Sequence, residues 1–295
     1  MSWPDTDTET LANDLRPTSG HAVDCLNCGT PFSPGDRFCS HCAQKADTHR
    51  LTWRHFGHEL LHAMMPADTG VLHLFRELIL RPGVVAREYL AGKRKKYFSP
   101  FTWFLISAGT MVLIGELFGQ EVVDLEADPG VLARLPNEAA RASYLALVDR
   151  TEQLTHFMAK HGNVFAMAAA PIIALVVWLF YRRRYNYVEF LTAMLLFESV
   201  TNLLVPPVFQ LLKWTNGGAL YPHMGLGGQV VQVSYLAFAL VGLLRLTSLR
   251  SRAGAVGVAA AAVFTWAVAS YLALGWYLHQ NWQFYRATFQ MLRAL

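Results

Sequence analysis

Residues 188–212 read VEFLTAMLLFESVTNLLVPPVFQLL, a stretch that holds two carboxylates and no lysine or arginine. A helix that crosses about 30 Å of hydrocarbon needs about 17 to 25 mostly apolar residues. The stretch therefore predicts a membrane-spanning helix. Pro206 and Pro207 remove two backbone donors, so they predict a kink or an end of this helix near Val205.

Four further apolar segments are long enough to span a membrane. They are residues 101–118, 164–181, 226–246 and 255–278. The chain of 295 residues is 53% hydrophobic and 16% charged, and its mean hydropathy is +0.25, whereas soluble proteins average about 25% charged residues. The sequence thus predicts an all-α polytopic membrane protein with about five transmembrane helices. Its transmembrane domain is expected over residues 98–295, with an outer loop at residues 119–163.

Lysine and arginine determine the expected orientation of these spans. They are concentrated before the first span, between the second and third, and between the fourth and fifth, whereas the other connections hold fewer. The opening ten residues are acidic and polar and do not have the layout of a secretory signal. The N-terminus is therefore predicted to be cytosolic and the C-terminus to lie outside.

Residues 50–97 are predicted to form amphipathic helices on the cytosolic surface of the membrane. Apolar residues recur with helical spacing over residues 71–80. The sequence Arg81-Pro82-Gly83 is expected to end that helix, and a second short helix is expected to end at Gly92.

The most basic run of the chain directly precedes the first span. Lys93, Arg94, Lys95 and Lys96 are followed by two aromatic residues, which predicts a cluster at the headgroup level. This charge distribution is that of a membrane protein rather than a nucleic-acid binder, so the lipid bilayer is the predicted partner. Orienting charge is the favoured interpretation, and specific recognition of an anionic lipid or of nucleic acid is the alternative.

Four cysteines lie close together near the N-terminus. Cys25 and Cys28 form one CxxC pair, Cys39 and Cys42 form a second, and ten residues separate the pairs. In a reducing cytosol such pairs bind metal more often than they form disulfides, and four thiolates suit a closed tetrahedral site. The alternative is a pair of reduced or redox-active CxxC motifs without metal.

This spacing defines the expected organisation of the N-terminal region. Residues 1–22 are predicted to be disordered, and residues 23–46 are predicted to form a zinc ribbon or a pair of zinc knuckles. The expected cofactor is structural Zn2+, because a site closed by four protein ligands leaves no position for a substrate.

A second candidate metal site lies on a predicted helix over residues 53–64. Its pattern His58-Glu59-x-x-His62 can place two imidazoles on zinc, with Glu59 as general base. Asp68 has the spacing of a third ligand in some metallopeptidases. Because this part of the chain is rich in histidine, a hydrated polar helix face is the favoured interpretation and a zinc peptidase is the alternative.

One carboxylate lies deep in a predicted span. Glu198 is ten residues into the stretch quoted above, and Asn202 follows one turn later on the same face. An ionisable group at that depth is costly and indicates a site. It is either a hydrogen-bonded structural contact or the centre of a small-solute or lipid translocator.

Several short motifs together resemble a family of bacterial membrane proteins of unknown function, in which a zinc ribbon precedes several transmembrane helices. The motifs are Cys25-x2-Cys28-Gly29, Phe38-Cys39-x2-Cys42, His58-Glu59-x2-His62 through Asp68-x-Gly70, Arg81-Pro82-Gly83, Glu88-Tyr89, Gly92-Lys93-Arg94 and Asn186-Tyr187-x-Glu189. Ala43 departs from the pattern, which has glycine after the fourth cysteine. The resemblance implies a location in the bacterial inner membrane and no particular reaction.

These observations lead to one expected function and two alternatives. The expected function is a non-enzymatic docking, scaffold or regulatory role at the inner membrane, in which the zinc unit contacts a protein partner. The alternatives are the zinc peptidase with Glu59 as base and the translocator around Glu198.

Overall fold

The computed structural model describes residues 24–33, 35–46, 71–118, 126–216 and 221–280. These residues form helices, turns and two isolated β-bridges, and no strand occurs among them. The helices are α1 (Val71–Leu80), α2 (Pro82–Leu90), α3 (Pro100–Phe118), α4 (Pro129–Arg134), α5 (Glu138–Tyr181), α6 (Tyr187–Asn216), α7 (Tyr221–Leu243) and α8 (Leu249–His279). The predicted all-helical class is confirmed for the described part of the chain.

Helix α6 is the centre of the bundle. It packs against α1, α2, α3, α5 and α7. In the most apolar part of its segment Tyr187–Val208, 78% of the residues are buried in the protein. The corresponding share is 28% in α7 and 28% in α8. The outer helices therefore leave most of their apolar surface facing outward, as expected where lipid surrounds the protein.

Three helical segments are long and apolar enough to cross a membrane. They are Tyr187–Val208, Gly225–Leu243 and Leu249–His279. Two shorter apolar segments, Pro100–Ile114 and Met167–Tyr181, coincide with the first and second predicted spans. The protein is thus a candidate membrane protein by the length and composition of its described helices.

The predicted outer loop over residues 119–163 is largely helical in its described part. Helix α5 begins at Glu138, where the Asn137 side chain accepts a hydrogen bond from the Ala140 amide. Its 44 residues correspond to about 66 Å, about twice the thickness of a bilayer core. The N-terminal half of α5 therefore extends beyond the apolar segment. There the Arg150 guanidinium donates a 2.7 Å hydrogen bond to the Leu278 carbonyl at the end of α8.

The proline pair in the quoted stretch does not end its helix. Helix α6 continues through Pro206 and Pro207 to Asn216, so of the two predicted outcomes near Val205 the end is wrong, and the kink stays a prediction. Proline has a helical φ and removes only its own amide donor, and in a membrane helix the freed carbonyls find other partners.

Helices α1 and α2 have the predicted boundaries and pack on the bundle. Leu74 and Leu78 of α1 are buried, whereas Leu72 and Leu80 are 82% and 58% exposed. Helix α1 thus buries one apolar face in the protein and leaves apolar side chains on the other, and its predicted place at the membrane surface stays a prediction.

The start of α2 touches α7 backbone to backbone. A Cβ atom built on Gly83 would lie 2.2 Å from the amide nitrogen of Leu243 and 2.5 Å from the Cα of Gly242. Only glycine allows this approach, so Gly83 has a packing role within the Arg81-Pro82-Gly83 motif. The contact joins α2 to one end of α7.

Candidate functional site

The four cysteines lie on two turns of the same geometry. In the first, the Gly29 amide donates to the Cys25 carbonyl and the Cys25 amide to the Thr30 carbonyl, both at 2.8 Å. In the second, the Ala43 amide donates to the Cys39 carbonyl at 2.9 Å, and the Cys39 amide donates to the Gln44 carbonyl at 2.8 Å. One isolated β-bridge closes each turn. The unit is therefore a pair of knuckles, and we name residues 24–46 the knuckle unit.

The unexpected alanine occupies the position that glycine has in the first knuckle. Gly29 has φ +76° and Ala43 has φ +57°, so both residues adopt the left-handed conformation. This conformation costs an L-residue about 1 kcal/mol or more. Ala43 thus keeps the turn that the motif requires and strains it slightly.

The two knuckles bring their sulfurs together. All four ligand atoms lie within 4.8 Å of one another, with Cys25 Sγ 3.5 Å from Cys42 Sγ and Cys28 Sγ 3.6 Å from Cys39 Sγ. Four thiolates at 2.3 Å from a tetrahedral zinc are separated by about 3.8 Å. A disulfide needs about 2.05 Å. The geometry fits a four-coordinate metal and confirms that the predicted ligands converge.

The surroundings of the four sulfurs differ. Burial raises the pKa of Cys25 to about 12, whereas the hydrogen bond between Cys28 and the Thr30 hydroxyl, 3.2 Å long, lowers the pKa of Cys28 to about 6. A metal that binds all four as thiolates must therefore displace a proton from Cys25.

A buried glutamine attaches the knuckle unit to the helical part of the protein. Gln44 is 5% exposed, and its side-chain amide donates a 2.7 Å hydrogen bond to the Gly92 carbonyl. Its side-chain oxygen accepts from the Lys95 amide at 3.3 Å. Gln44 directly follows Ala43 in the second knuckle, so the turn that presents the cysteine ligands also holds the segment after α2.

That segment is organised by one carboxylate. Glu88 of α2 accepts hydrogen bonds from Lys93 at 3.3 Å, from Lys96 at 2.7 Å and from the Tyr97 hydroxyl at 2.5 Å. Partial burial raises the pKa of Glu88, but these three donors outweigh that effect and lower the pKa to about 2. Glu88 therefore stays ionised and fixes the turn to which Gln44 binds.

The basic run 93–96 is thus partly engaged within the protein. Lys93 and Lys96 pair with Glu88, and the Arg94 guanidinium lies 6.0 Å from the centre of the Tyr89 ring. The Lys95 backbone amide donates a hydrogen bond to the side-chain oxygen of Gln44. The predicted role of these four residues at the membrane surface remains a prediction.

The deep carboxylate of α6 has a polar partner. Glu198 is 4% exposed and accepts a 2.8 Å hydrogen bond from Gln232 of α7. One turn further along, the side-chain nitrogen of Asn202 is buried and has no hydrogen-bond partner among the described residues. The structure therefore pairs Glu198 with a residue that the sequence did not indicate.

The second predicted metal site lies outside the described residues. His58, Glu59, His62 and Asp68 all belong to the segment 47–70, and so does the predicted helix over residues 53–64. The only cluster of metal-ligating side chains within the described residues is that of the four cysteines.

The motif after α5 has a structural role. Asn186 and Glu189 cap α6 reciprocally, since the Asn186 amide donates to the Glu189 carboxylate at 2.7 Å and the Glu189 amide to the Asn186 side chain at 2.9 Å. The Tyr187 hydroxyl donates to the Pro171 carbonyl of α5 at 3.0 Å. These residues join two helices rather than form a site.

Three residues that hold the knuckle unit or the deep carboxylate in place were not predicted from the sequence. Glu88 belongs to the Glu88-Tyr89 motif, but the sequence does not indicate its partners. Lys93 and Lys96 lie in the basic run 93–96, which is interpreted as orienting charge. Gln44 and Gln232 have no sequence signal, because a glutamine becomes significant only when the group it binds is known.

Comparison with known proteins identifies a local similarity. A family described as "Protein of unknown function (DUF3667)" matches residues 68–112, which include α1, α2, the Glu88 turn and part of α3. No curated protein matches the chain, and no solved structure matches it.

Proposed function

We propose that this chain is a non-enzymatic, multi-pass protein of the bacterial inner membrane, whose zinc-loaded knuckle unit docks a protein partner on the cytosolic side. One observation carries the proposal: Gln44 holds the knuckle unit against the turn between α2 and α3. A unit that is attached in this way presents a constant surface at one end of the bundle. Its four ligands leave no open metal position for a reaction.

The knuckle unit exposes one large apolar side chain that a partner could cover. Phe38 is 55% exposed and directly precedes the ligand Cys39. Aromatic side chains of this kind are enriched among the residues that dominate protein interfaces. Because the knuckle geometry depends on the metal, the position of Phe38 should depend on it too.

A photo-crosslinking amino acid at position 38 tests this docking role in intact membranes. We expect a protein adduct that disappears in the Cys25→Ser, Cys39→Ser variant, since loss of zinc releases the turn that carries Phe38. The matched control is the same probe at Phe264 of α8, which is 69% exposed and lies in a candidate span. That probe should react with lipid. A position 38 probe that gives no protein adduct, or the same adduct without zinc, contradicts the proposal.

The location of this end of the bundle is also part of the proposal. The loops after α2, after α5 and after α7 are the basic ones, and the contact of Gly83 with Gly242 supports the placement of α2 beside the end of α7 that leads into the last of these loops. Five spans with a cytosolic N-terminus fit this arrangement. Reporter fusions after residues 140 and 295 should both lie outside, and either one found inside refutes the topology.

Metal analysis separates the docking role from the peptidase alternative. One tightly bound zinc per chain that persists in the His62→Ala variant supports the knuckle unit alone. A second zinc that is lost in His62→Ala, together with peptide hydrolysis that Glu59→Gln abolishes, would favour the peptidase instead.

The translocator alternative depends on Glu198. The 2.8 Å hydrogen bond from Gln232 supports the structural interpretation, because it satisfies a buried acceptor. Solute uptake that Glu198→Gln abolishes without loss of folding would favour the translocator.

A further inference from the structure

The basic residues of the bundle fall into two groups with different surroundings. Lys93 and Lys96 are neutralised by Glu88. Arg87, Arg184 and Arg245 form no ion pair with a carboxylate in the part of the chain that the structure describes. The second group therefore retains its positive charge for another partner.

The three arginines come from three elements that meet at one place. Arg87 lies one helical turn after Gly83 on α2, and Arg245 lies three residues after Gly242, so the contact between the two glycines brings both residues to the same end of the bundle. Arg184 comes from the connection between α5 and α6. Tyr185 follows Arg184 in this connection, is 6% exposed and packs edge-on against Phe190 with ring centres 5.6 Å apart.

The charges of these elements act on the same tyrosine, in agreement with the placement that the glycine contact gives them. Burial raises the pKa of Tyr185, and the negative charge of Glu189 raises it further, whereas the positive charges of Arg87, Arg245 and Arg184 lower it. Loss of solvent lowers the pKa of Arg87, and the positive charge of Arg245 lowers it further. The partly buried Arg87 is thus repelled by the like charge of Arg245, which is itself exposed, and an anion bound by both groups would relieve that repulsion.

The acidic groups nearby do not fill that role. Glu88 binds Lys93, Lys96 and Tyr97, and Glu189 is 5% exposed and accepts the Asn186 amide. Both carboxylates are therefore engaged in structural hydrogen bonds. The cluster of three arginines and two such carboxylates keeps an excess of positive charge.

The backbone at Arg245 is the second, independent observation. Arg245 has φ +52° and ends α7 in a Schellman turn, in which the Leu246 amide donates to the Val241 carbonyl at 3.0 Å. Glycine is the usual residue at this position, because an L-residue is strained there. An arginine at the strained position is consistent with a use for its side chain.

We propose that Arg87, Arg184 and Arg245 form a binding site for a phosphate group, supplied by the headgroup of an anionic phospholipid. A planar guanidinium group binds phosphate through paired hydrogen bonds, and the cluster lies where the candidate span of α6 begins and that of α7 ends. An anionic headgroup brings negative charge without needing a deep cavity. This site is independent of the zinc-dependent docking proposed above.

Arg245→Gly separates a binding role from a structural one. It removes the guanidinium and gives the left-handed position its preferred residue, so folding should be retained or improved. We expect the affinity of the purified full-length protein for phosphatidylglycerol in mixed micelles, measured by native mass spectrometry, to fall about tenfold. Thermal stability without lipid should not fall. Arg87→Gln should lower the affinity similarly, and Arg183→Gln, an exposed neighbour, is the matched control.

Two comparison ligands identify the source of the phosphate. Phosphatidylcholine, whose headgroup has no net charge, should bind more weakly and respond little to Arg245→Gly. Inorganic phosphate at millimolar concentration should not displace phosphatidylglycerol; displacement would assign the site to a free phosphate compound instead. Unchanged phosphatidylglycerol affinity in Arg245→Gly, or an equal loss in Arg183→Gln, would overturn the site.

Discussion

The knuckle unit and the helical bundle are stabilised in opposite ways. The knuckle unit has few buried side chains, and its described part is held by short backbone hydrogen bonds around four converging sulfurs. The bundle buries large side chains such as Trp103, Phe190 and Phe197 around α6. The first region therefore depends on a ligand and the second on packing. A change that damages one should leave the other intact, apart from the Gln44 contact that joins them.

Removal of the zinc ligands should have the largest effect. In the Cys25→Ser, Cys39→Ser variant, we expect bound zinc to fall from about one ion per chain to none, because a unit without a core folds only with its metal. The helical signal in circular dichroism and the thermal unfolding of the bundle should change little. Bundle unfolding at a much lower temperature would show that the two regions are not separable.

Gly83→Ala should damage the bundle and leave the metal in place. The added Cβ would meet the backbone of Gly242 and Leu243, which cannot move aside as a flexible side chain can. We expect a loss of about 3 kcal/mol in the free energy of unfolding, with unchanged zinc content. Gly109→Ala in α3 is the matched control, since nothing lies within 4 Å of its added Cβ. An equal effect of both substitutions would refute the close contact.

Glu88→Gln should weaken the turn that joins the two regions. We expect a loss of about 2 kcal/mol at neutral pH, because the hydrogen bonds from Lys93, Lys96 and Tyr97 lose a charged acceptor. The pKa of Glu88 is lowered from 4.5 to about 2 by folding, so its contribution is present above pH 4.5 and disappears as the pH falls toward 2. The difference in thermal unfolding between wild type and variant should shrink over that range. A constant difference would contradict the assignment.

Ala43→Gly should have the smallest effect and the opposite sign. Glycine adopts φ +57° without strain, so the second knuckle should gain up to about 1 kcal/mol and release zinc to a chelator more slowly. The reciprocal substitution Gly29→Ala should accelerate release. Faster release from Ala43→Gly would show that Ala43 has another role.

The sequence predicted local features well and long-range contacts poorly. The convergence of Cys25, Cys28, Cys39 and Cys42, the helix over residues 71–80 and its end before Pro82 are confirmed. Of the kink or end predicted near Val205, the end is wrong: the proline pair indicates a break from local chain geometry alone, whereas α6 continues through it among the surrounding helices.

What can be read from the sequence depends on neighbours along the chain. Apolar length indicates candidate spans, and CxxC spacing indicates thiolate ligands, because each needs only residues within one turn or one helix. The contact of Gly83 with Gly242 and the attachment of Gln44 to Gly92 depend on tertiary structure. These contacts join residues that are 48 or more positions apart, and their energies arise only when packing brings the two groups together.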